Sequence, residues 1–465
     1  MSVRGAKLVG FGRVLPLAVA GMFWLMAACG SGSSSSSGSS SATSASAGGS
    51  GSAGTGGSGG NTITGPAPNV AAVTISSGPN FLFTTVTVCA PGTSTCATIP
   101  NVLVDTGSYG LRILASPQGA SGTAVGNLGL PQVTGTSNLP VVECTTFLDH
   151  SFVWGPVQRA DVTIGGEMAG NIPVQVVGDP SFFDDIPADC GDVPGARNQN
   201  SFNTLGMNGI LGIGLFIEDC GTACVAPNSP VPGIYFACAA GGAGSCVNGS
   251  ETNVALADQV SNPVAFFAQD NNGTIIELPA VGASGAATAS GSLVFGIGTQ
   301  TNNGLGNATV LMAVPAGSGA ADAGSFTTKF GGQSFPGSFI DSGSNGFYFL
   351  DSGTIAGIVG GNPLPTCTQT GSFANDSSIG SFYCGTLNST ATNVGTNGQS
   401  TSVPIAVANA ETQFLTGHQA LDNIAGPNMG AFDWGMPFFY GRNVYTGIQG
   451  VTPPSGVPAG PFWAY

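Results

Sequence analysis

The sequence predicts an all-β protein with few short helices, arranged as two β-rich lobes. Three observations predict it. Gly (76 residues) and Pro (30) are abundant, apolar residues make up 42% and charged residues only 7%, which suits many short strands joined by tight turns. A disordered chain would be more charged and less apolar, and a helical bundle would carry Ala, Glu, Lys and Leu blocks. Short β-prone runs recur along the chain, and one strand-and-turn motif occurs twice, once in each half.

The runs are Val70–Ile75, Phe81–Val88, Asn101–Val104, Arg159–Ile164 and Pro173–Val177. Later come Thr274–Leu278, Ser292–Phe295, Ala308–Val314, Ser402–Val407 and Phe438–Ile448. Gly165-Gly166, Asn271-Asn272-Gly273 and Gly331-Gly332 punctuate them. Helical periodicity is scarce, and a short helix is expected only within Asn253–Asp270. The folded part begins near Pro68, leaving about 400 residues, enough for two lobes of ordinary size. The expected divisions are 68–264 for the N-terminal lobe and 265–465 for the C-terminal lobe.

Residues 1–29 read as an export signal. Arg4, Lys7 and Arg13 precede an apolar run, Val14–Ala28, too short for a spanning helix. The run ends Leu25-Met26-Ala27-Ala28-Cys29, the pattern of a bacterial lipoprotein processing site with Cys29 as the lipidated residue. Residues 30–67 are largely Ser, Gly, Ala and Thr and read as a disordered linker that holds the protein off a membrane. Gly30 after the cysteine favours the outer membrane over inner-membrane retention. Contact with the membrane is expected through this lipid alone.

The other ten cysteines form an even set, as expected of disulfides in an exported chain. Cys89 and Cys96 flank a hairpin loop, and Cys367 and Cys384 close a second local loop. Cys144 and Cys190 are a third pair. Cys220, Cys224, Cys238 and Cys246 pair among themselves in a pattern the spacing leaves open. A zinc site in that stretch is the rival reading, disfavoured because no His lies there.

With 8 Lys+Arg against 23 Asp+Glu the net charge is -15, which excludes nucleic acid as a partner. A monomer is expected.

The twice-occurring motif carries the chemistry. Val102-Leu103-Val104-Asp105-Thr106-Gly107-Ser108-Tyr109-Gly110 is echoed by Gly337-Ser338-Phe339-Ile340-Asp341-Ser342-Gly343-Ser344-Asn345-Gly346. In both, an apolar strand runs into Asp-[Thr/Ser]-Gly-Ser-x-Gly. The glycine permits a sharp turn and a close approach, and the hydroxyl braces it. Two such turns facing each other bring two carboxylates side by side. That pair shares a proton, so one member acts as general base on a water and the other polarises a carbonyl.

These motifs resemble the two catalytic turns of the pepsin-like aspartic peptidases. The resemblance implies a bilobal pepsin-like acid-protease fold with a cleft between two β-barrel-like lobes. It assigns the catalytic pair to Asp105 and Asp341, with Thr106, Gly107, Ser108, Ser342, Gly343 and Ser344 supporting. It implies an aspartic endopeptidase acting on peptide or protein substrates without metal or cofactor. Asn208–Gly214 resembles the apolar-apolar-Gly strand behind the first turn, and Phe152–Gly166 the strand after the substrate-covering flap. Gly291–Gly296 and Gly435–Tyr445 resemble the strands that open and close the second lobe. The whole combination resembles a bacterial exported lipoprotein family catalogued as a domain of unknown function.

There are departures. The flap-like stretch Thr145–Trp154 has no Tyr; Phe147, Phe152 and Trp154 are candidate substitutes, and only Trp154 offers a donor. Asp433-Trp434-Gly435 stands where the family has apolar-apolar-Gly. The stretch Cys220–Cys246 reads as an insertion. Tyr109, Phe152 and Phe347 are expected to line the cleft. The alternative reading is a catalytically inactive pepsin-like binding or inhibitor lipoprotein, and a glycosidase ranks third on carboxylate count alone. His150 and His418 lack a nucleophile-elbow context for a triad.

Overall fold

Along Ser400–Val407 the buried side chains are Val403, Ile405 and Val407, alternating with more exposed residues, as on a strand with one face to the core. Gly209–Ile213 is buried at all five positions because it runs between two other strands deep in the molecule. These patterns belong to a computed structural model. It describes residues 68–465 apart from 136, 148, 183–185, 192–195, 226–230, 232, 242–245, 247–249, 319, 321 and 429. The export signal, Cys29 and the linker lie outside the described residues.

The protein is mostly β. In the first half, Leu82–Cys89, Cys96–Asp105, Gly209–Ile213, Tyr109–Leu114, Glu167–Val177 and Ser151–Ile164 are successive neighbours. Ser151–Ile164 also pairs with Leu82–Cys89, so the sheet closes on itself as a barrel. The second half holds an open sheet of seven strands that includes Phe326–Phe330, Gln333–Ile340, Asp433–Trp434, Phe347–Phe349 and Ala425–Pro427. Val70–Ile75 joins the halves: it pairs with Leu82–Cys89 on one side and Ala289–Phe295 on the other. The same sheet continues through Gly273–Glu277, Asn443–Gly447 and Phe462–Ala464, across the division expected at 264/265.

Each half repeats one local topology. Cys96–Asp105 and Tyr109–Leu114 flank Gly209–Ile213, which is parallel to the first and antiparallel to the second. Likewise Asp433–Trp434 is parallel to Gln333–Ile340 and antiparallel to Phe347–Phe349. The inserted strand holds the strands before and after each Asp turn apart and fixes where the turn emerges. Under the first turn the packing is aliphatic (Val104, Leu111, Leu211, Ile213). Under the second it is aromatic, with Phe347 stacked 4.6 Å from both Phe349 and Trp434. Such ring pairs contribute about 0.5–1.5 kcal/mol each beyond area burial.

Five disulfides are present: Cys89–Cys96, Cys144–Cys190, Cys220–Cys224, Cys238–Cys246 and Cys367–Cys384. The open pattern thus resolves into two short loops, and these four sulfurs are not thiolate ligands for zinc. No helix among the described residues is long and apolar enough to cross a membrane.

Two expectations are corrected. Asn253–Asp270 forms two 3₁₀ turns, Leu256–Asp258 and Pro263–Phe266, not an α-helix. Pro263 lacks an N–H and drives Asn262 to ψ 112°, and the Asn262 side chain caps the second turn instead. Phe438 does not begin a strand: Met436–Phe438 is a 3₁₀ turn with Pro437 in it, and the strand is Asn443–Gly447.

Candidate active site

Asp105 ends its strand and Asp341 directly follows Ile340, so both leave the sheets at matched points. The turns then grip each other. Thr106 Oγ1 donates to the Ile340 carbonyl (3.1 Å) and accepts from Ser342 N (2.9 Å). Ser342 Oγ donates to the Val104 carbonyl (2.8 Å) and accepts from Thr106 N (3.1 Å). Each hydroxyl therefore satisfies one buried acceptor and one buried donor of the opposite turn. The double variant Thr106→Val/Ser342→Ala is expected to lose about 2–5 kcal/mol of stability, since four buried backbone groups lose their partners. Urea unfolding midpoints measure it.

The grip presses the carboxylates together. Gly107 N donates to Asp105 Oδ1 (2.8 Å) and also to Asp341 Oδ1 (3.1 Å), while Gly343 N donates to Asp341 Oδ1 (2.7 Å). Ser108 Oγ donates to Asp105 Oδ2, and Ser344 Oγ lies 2.8 Å from Asp341 Oδ2. Asp105 is 1% exposed and Asp341 0%. Burial, then the neighbouring carboxyls of Asp105 and Asp433, hold the Asp341 carboxyl well above the usual carboxylate range. Burial, with Asp105 and Asp341 adding to it, pushes the Tyr109 phenol up too.

The structure thus brings Asp105, Thr106, Gly107, Ser108, Asp341, Ser342, Gly343 and Ser344 into one cluster. Other residues expected at the cleft lie elsewhere. Phe152 and Phe347 are buried in apolar clusters, so neither lines an open cleft. Trp154 is buried and its Nε1 is committed to the Phe182 carbonyl (2.9 Å), which removes it as a donor to substrate. Tyr109 does border a cavity of about 250 Å³, with Phe216, Glu218, Asp219 and Gly450 among its walls. His150 sits at the turn of the hairpin Val141–Thr146/Ser151–Ile164 with φ 60°. The Tyr348 phenol is pushed up by burial, then by Asp433 and by Asp149 of the hairpin turn.

Three sets of contacts were not foreseen from the sequence. Asp433, on the inserted strand, is wholly buried 2.6 Å from Ser344 Oγ. Asn80 ties the halves together: its Nδ2 donates to the carbonyls of Asn345 and Leu421, and its Oδ1 accepts from Leu421 N and Tyr440 Oη. Arg112, on the strand after the first turn, donates to Tyr109 O, Thr145 Oγ1, Glu143 Oε1 and Asp219 Oδ2. It links the turn to the flap-like hairpin. Burial would raise both acids; beside the guanidinium Glu143 is held low, whereas Asp219, facing Glu143, stays well above its usual range. Arg112→Met leaves two buried acids without a counter-charge. The expected loss is about 3–5 kcal/mol, read by denaturant unfolding at neutral pH.

No match was found among curated proteins. A family model described as protein of unknown function (DUF3443) matches residues 65–465, which include both Asp turns and every element of the site. The chain belongs to that family.

Proposed function

We propose that the protein is a pepsin-like aspartic endopeptidase that hydrolyses peptide bonds with a water activated between Asp105 and Asp341. The observation that carries this reading is the reciprocal hydroxyl grip, which locks the two turns together and so keeps side by side two carboxyls, both accepting from Gly107 N, that repulsion would otherwise separate. The proton-favouring surroundings of Asp341 suit it to be the acid, which leaves Asp105 as the base. As the water oxygen bonds to the scissile carbonyl carbon, its proton passes to Asp105 while Asp341 donates to the carbonyl oxygen. Proton delivery to the nitrogen then lets the C–N bond break. An extended peptide would add strand-like hydrogen bonds beneath the hairpin at residues 141–164.

The binding reading draws on a different observation: the dyad is almost fully enclosed, with only Gly107 and Ser108 half-exposed. On the peptidase reading the hairpin must lift to admit substrate. Five disulfides fit an oxidising compartment and so support export, with Cys29 as the proposed lipid anchor at the outer membrane.

The test is to incubate soluble protein starting at Gly30, disulfides intact, with a denatured protein mixture from acid to neutral pH. Peptides are identified by mass spectrometry. Cleavage that a statine-type transition-state mimic blocks is the expected result. A folded protein that cleaves nothing at any pH shifts the reading to a binding shell.

A further inference from the structure

Ser344 Oγ stands between two carboxyls, 2.8 Å from Asp341 Oδ2 and 2.6 Å from Asp433 Oδ2. A hydroxyl has one hydrogen and can donate to only one of them. The other contact is a hydrogen bond only if that carboxyl is protonated and donates to Oγ. The geometry therefore requires the Asp341–Asp433 pair to hold a proton, whichever member carries it. Asp433 Oδ1 has no hydrogen-bond partner among the described residues, and the side chain is 0% exposed. An ionised carboxylate with a naked oxygen there would be costly, so the resting proton belongs on Asp433.

The surroundings reinforce this. Asp433 pairs with Phe339 on one side and Tyr348 on the other, and its strand neighbours Phe432 and Trp434 are buried. The ionisable groups bearing on it are Asp105 and, through Ser344, Asp341. Tyr348 is neutral and itself faces Asp149. Burial holds the Asp433 carboxyl well above the usual carboxylate range, with Asp105 adding to it against the lowering effect of Ser344.

We propose that Asp433 is a positioning residue that stores a proton for the dyad and delivers it through Ser344 to Asp341. In the transfer the Asp433 Oδ2 proton moves to Ser344 Oγ as the Ser344 hydroxyl proton moves to Asp341 Oδ2. Two protons each move one step, a net transfer of one proton from Asp433 to Asp341, and the reverse step refills Asp433 once Asp341 recovers the proton it gave to the carbonyl oxygen. Asp341 is thereby re-armed through a wholly buried hydroxyl, and the dyad keeps its acid member to higher pH than two carboxyls alone would.

The relay deepens the peptidase reading, and its activity arm rests on that reading. The first arm does not: the carbonyl-stretch band of protonated carboxyls is followed by infrared spectroscopy from pH 5 to 8 in the wild type and in Asp433→Asn. The Asn amide keeps a donor toward Ser344 but carries no proton to give. The expected result is one protonated carboxyl fewer in the variant at pH 7; superimposable titrations overturn the proposal whether or not any peptide is cut. In the second arm, the basic limb of the kcat/KM profile is expected to move acidward by about one pH unit or more in Asp433→Asn, roughly a tenfold loss at pH 7. Activity at the acid end and KM should be unchanged. A loss equal at every pH would make Asp433 merely structural and overturn the relay. Ser344→Ala cuts the same path with Asp433 in place, so adding Asp433→Asn to it should shift the limb no further, whereas independent roles would add. It also decides the matter if Asp433→Asn fails to fold. No cleavage by the wild type would refute the peptidase reading, with the infrared arm still deciding the proton store.

Discussion

Asp341→Asn is expected to lower kcat/KM on the order of 10⁴-fold at every pH. An amide cannot donate an acid proton to the substrate carbonyl, and it also ends the sharing of a proton with Asp105. Stability should move the opposite way. The folded-state pKa of Asp341 is raised, burial being the main cause. Its favourable contribution is therefore complete below the unfolded Asp pKa of about 3.9 and is lost as pH climbs through the folded value. Each unit of that upward shift corresponds to about 1.4 kcal/mol. Asn has nothing to ionise, so the variant should equal the wild type near pH 4 and exceed it at pH 7. Unfolding midpoints at the two pH values, read beside the cleavage assay, check both signs. A variant that is inactive and also weaker at pH 7 would indicate a disrupted site and remove the case for chemistry by Asp341.

Gly107→Ala is expected to damage the site without removing either carboxyl. A Cβ at Gly107 would lie 2.6 Å from Asp341 Cγ and 2.7 Å from its Oδ1. Gly343 mirrors it, with a Cβ 2.6 Å from Asp105 Oδ1 and 2.8 Å from Cγ. Each glycine thus lies where only a hydrogen fits against the opposite carboxylate. Neither carboxylate can retreat, because the hydroxyl grip fixes the strand ends. The expected outcome for either alanine is a loss of about 1–3 kcal/mol in stability from overpacking. A displacement approaching 1 Å of a carboxyl should cost at least about 100-fold in kcat/KM. Gly282→Ala, where a Cβ meets nothing within 4 Å, is the control and should be silent. If Gly107→Ala keeps full activity, the two carboxyls are not held as closely as the geometry requires.

How much of this was legible in the sequence depends on whether the partners share a local pattern. The two Asp turns were legible because their context repeats: an apolar strand, Asp, a hydroxyl, Gly, Ser and a second Gly. The inserted strand at 209–213 was expected only through the resemblance, within Asn208–Gly214, and the first strand, Val70–Ile75, matches the expected bounds. Asp433 was visible only as a departure, since nothing local says that Ser344, 89 residues earlier, stands against it. The Arg112 network was invisible for the same reason: Glu143 and Asp219 lie 31 and 107 residues away. The helix expected in Asn253–Asp270 failed where spaced apolar residues outweighed one proline. Phe152 and Phe347 failed differently. They were expected to line the cleft, but both lie on stretches buried at every position, 151–157 and Phe347–Phe349.

The covalent cross-links and the dyad differ sharply in reach. The disulfides join residues 4 to 46 positions apart, whereas the turns that grip each other through Thr106 and Ser342 are 236 apart. A chain emerging from its amino end can therefore oxidise every cysteine of its first half before the second Asp turn exists. Every bridge lies within one half, so none ties the halves in the wrong register. The dyad, by contrast, cannot form until most of the chain is available, and the final strand, Phe462–Ala464, belongs to the sheet that unites the halves. Closing a loop of 236 residues costs about 1.4 kcal/mol more than closing one of 46. The carboxyl pair is consequently assembled late, and a half-made molecule is locked in its loops yet lacks the pair.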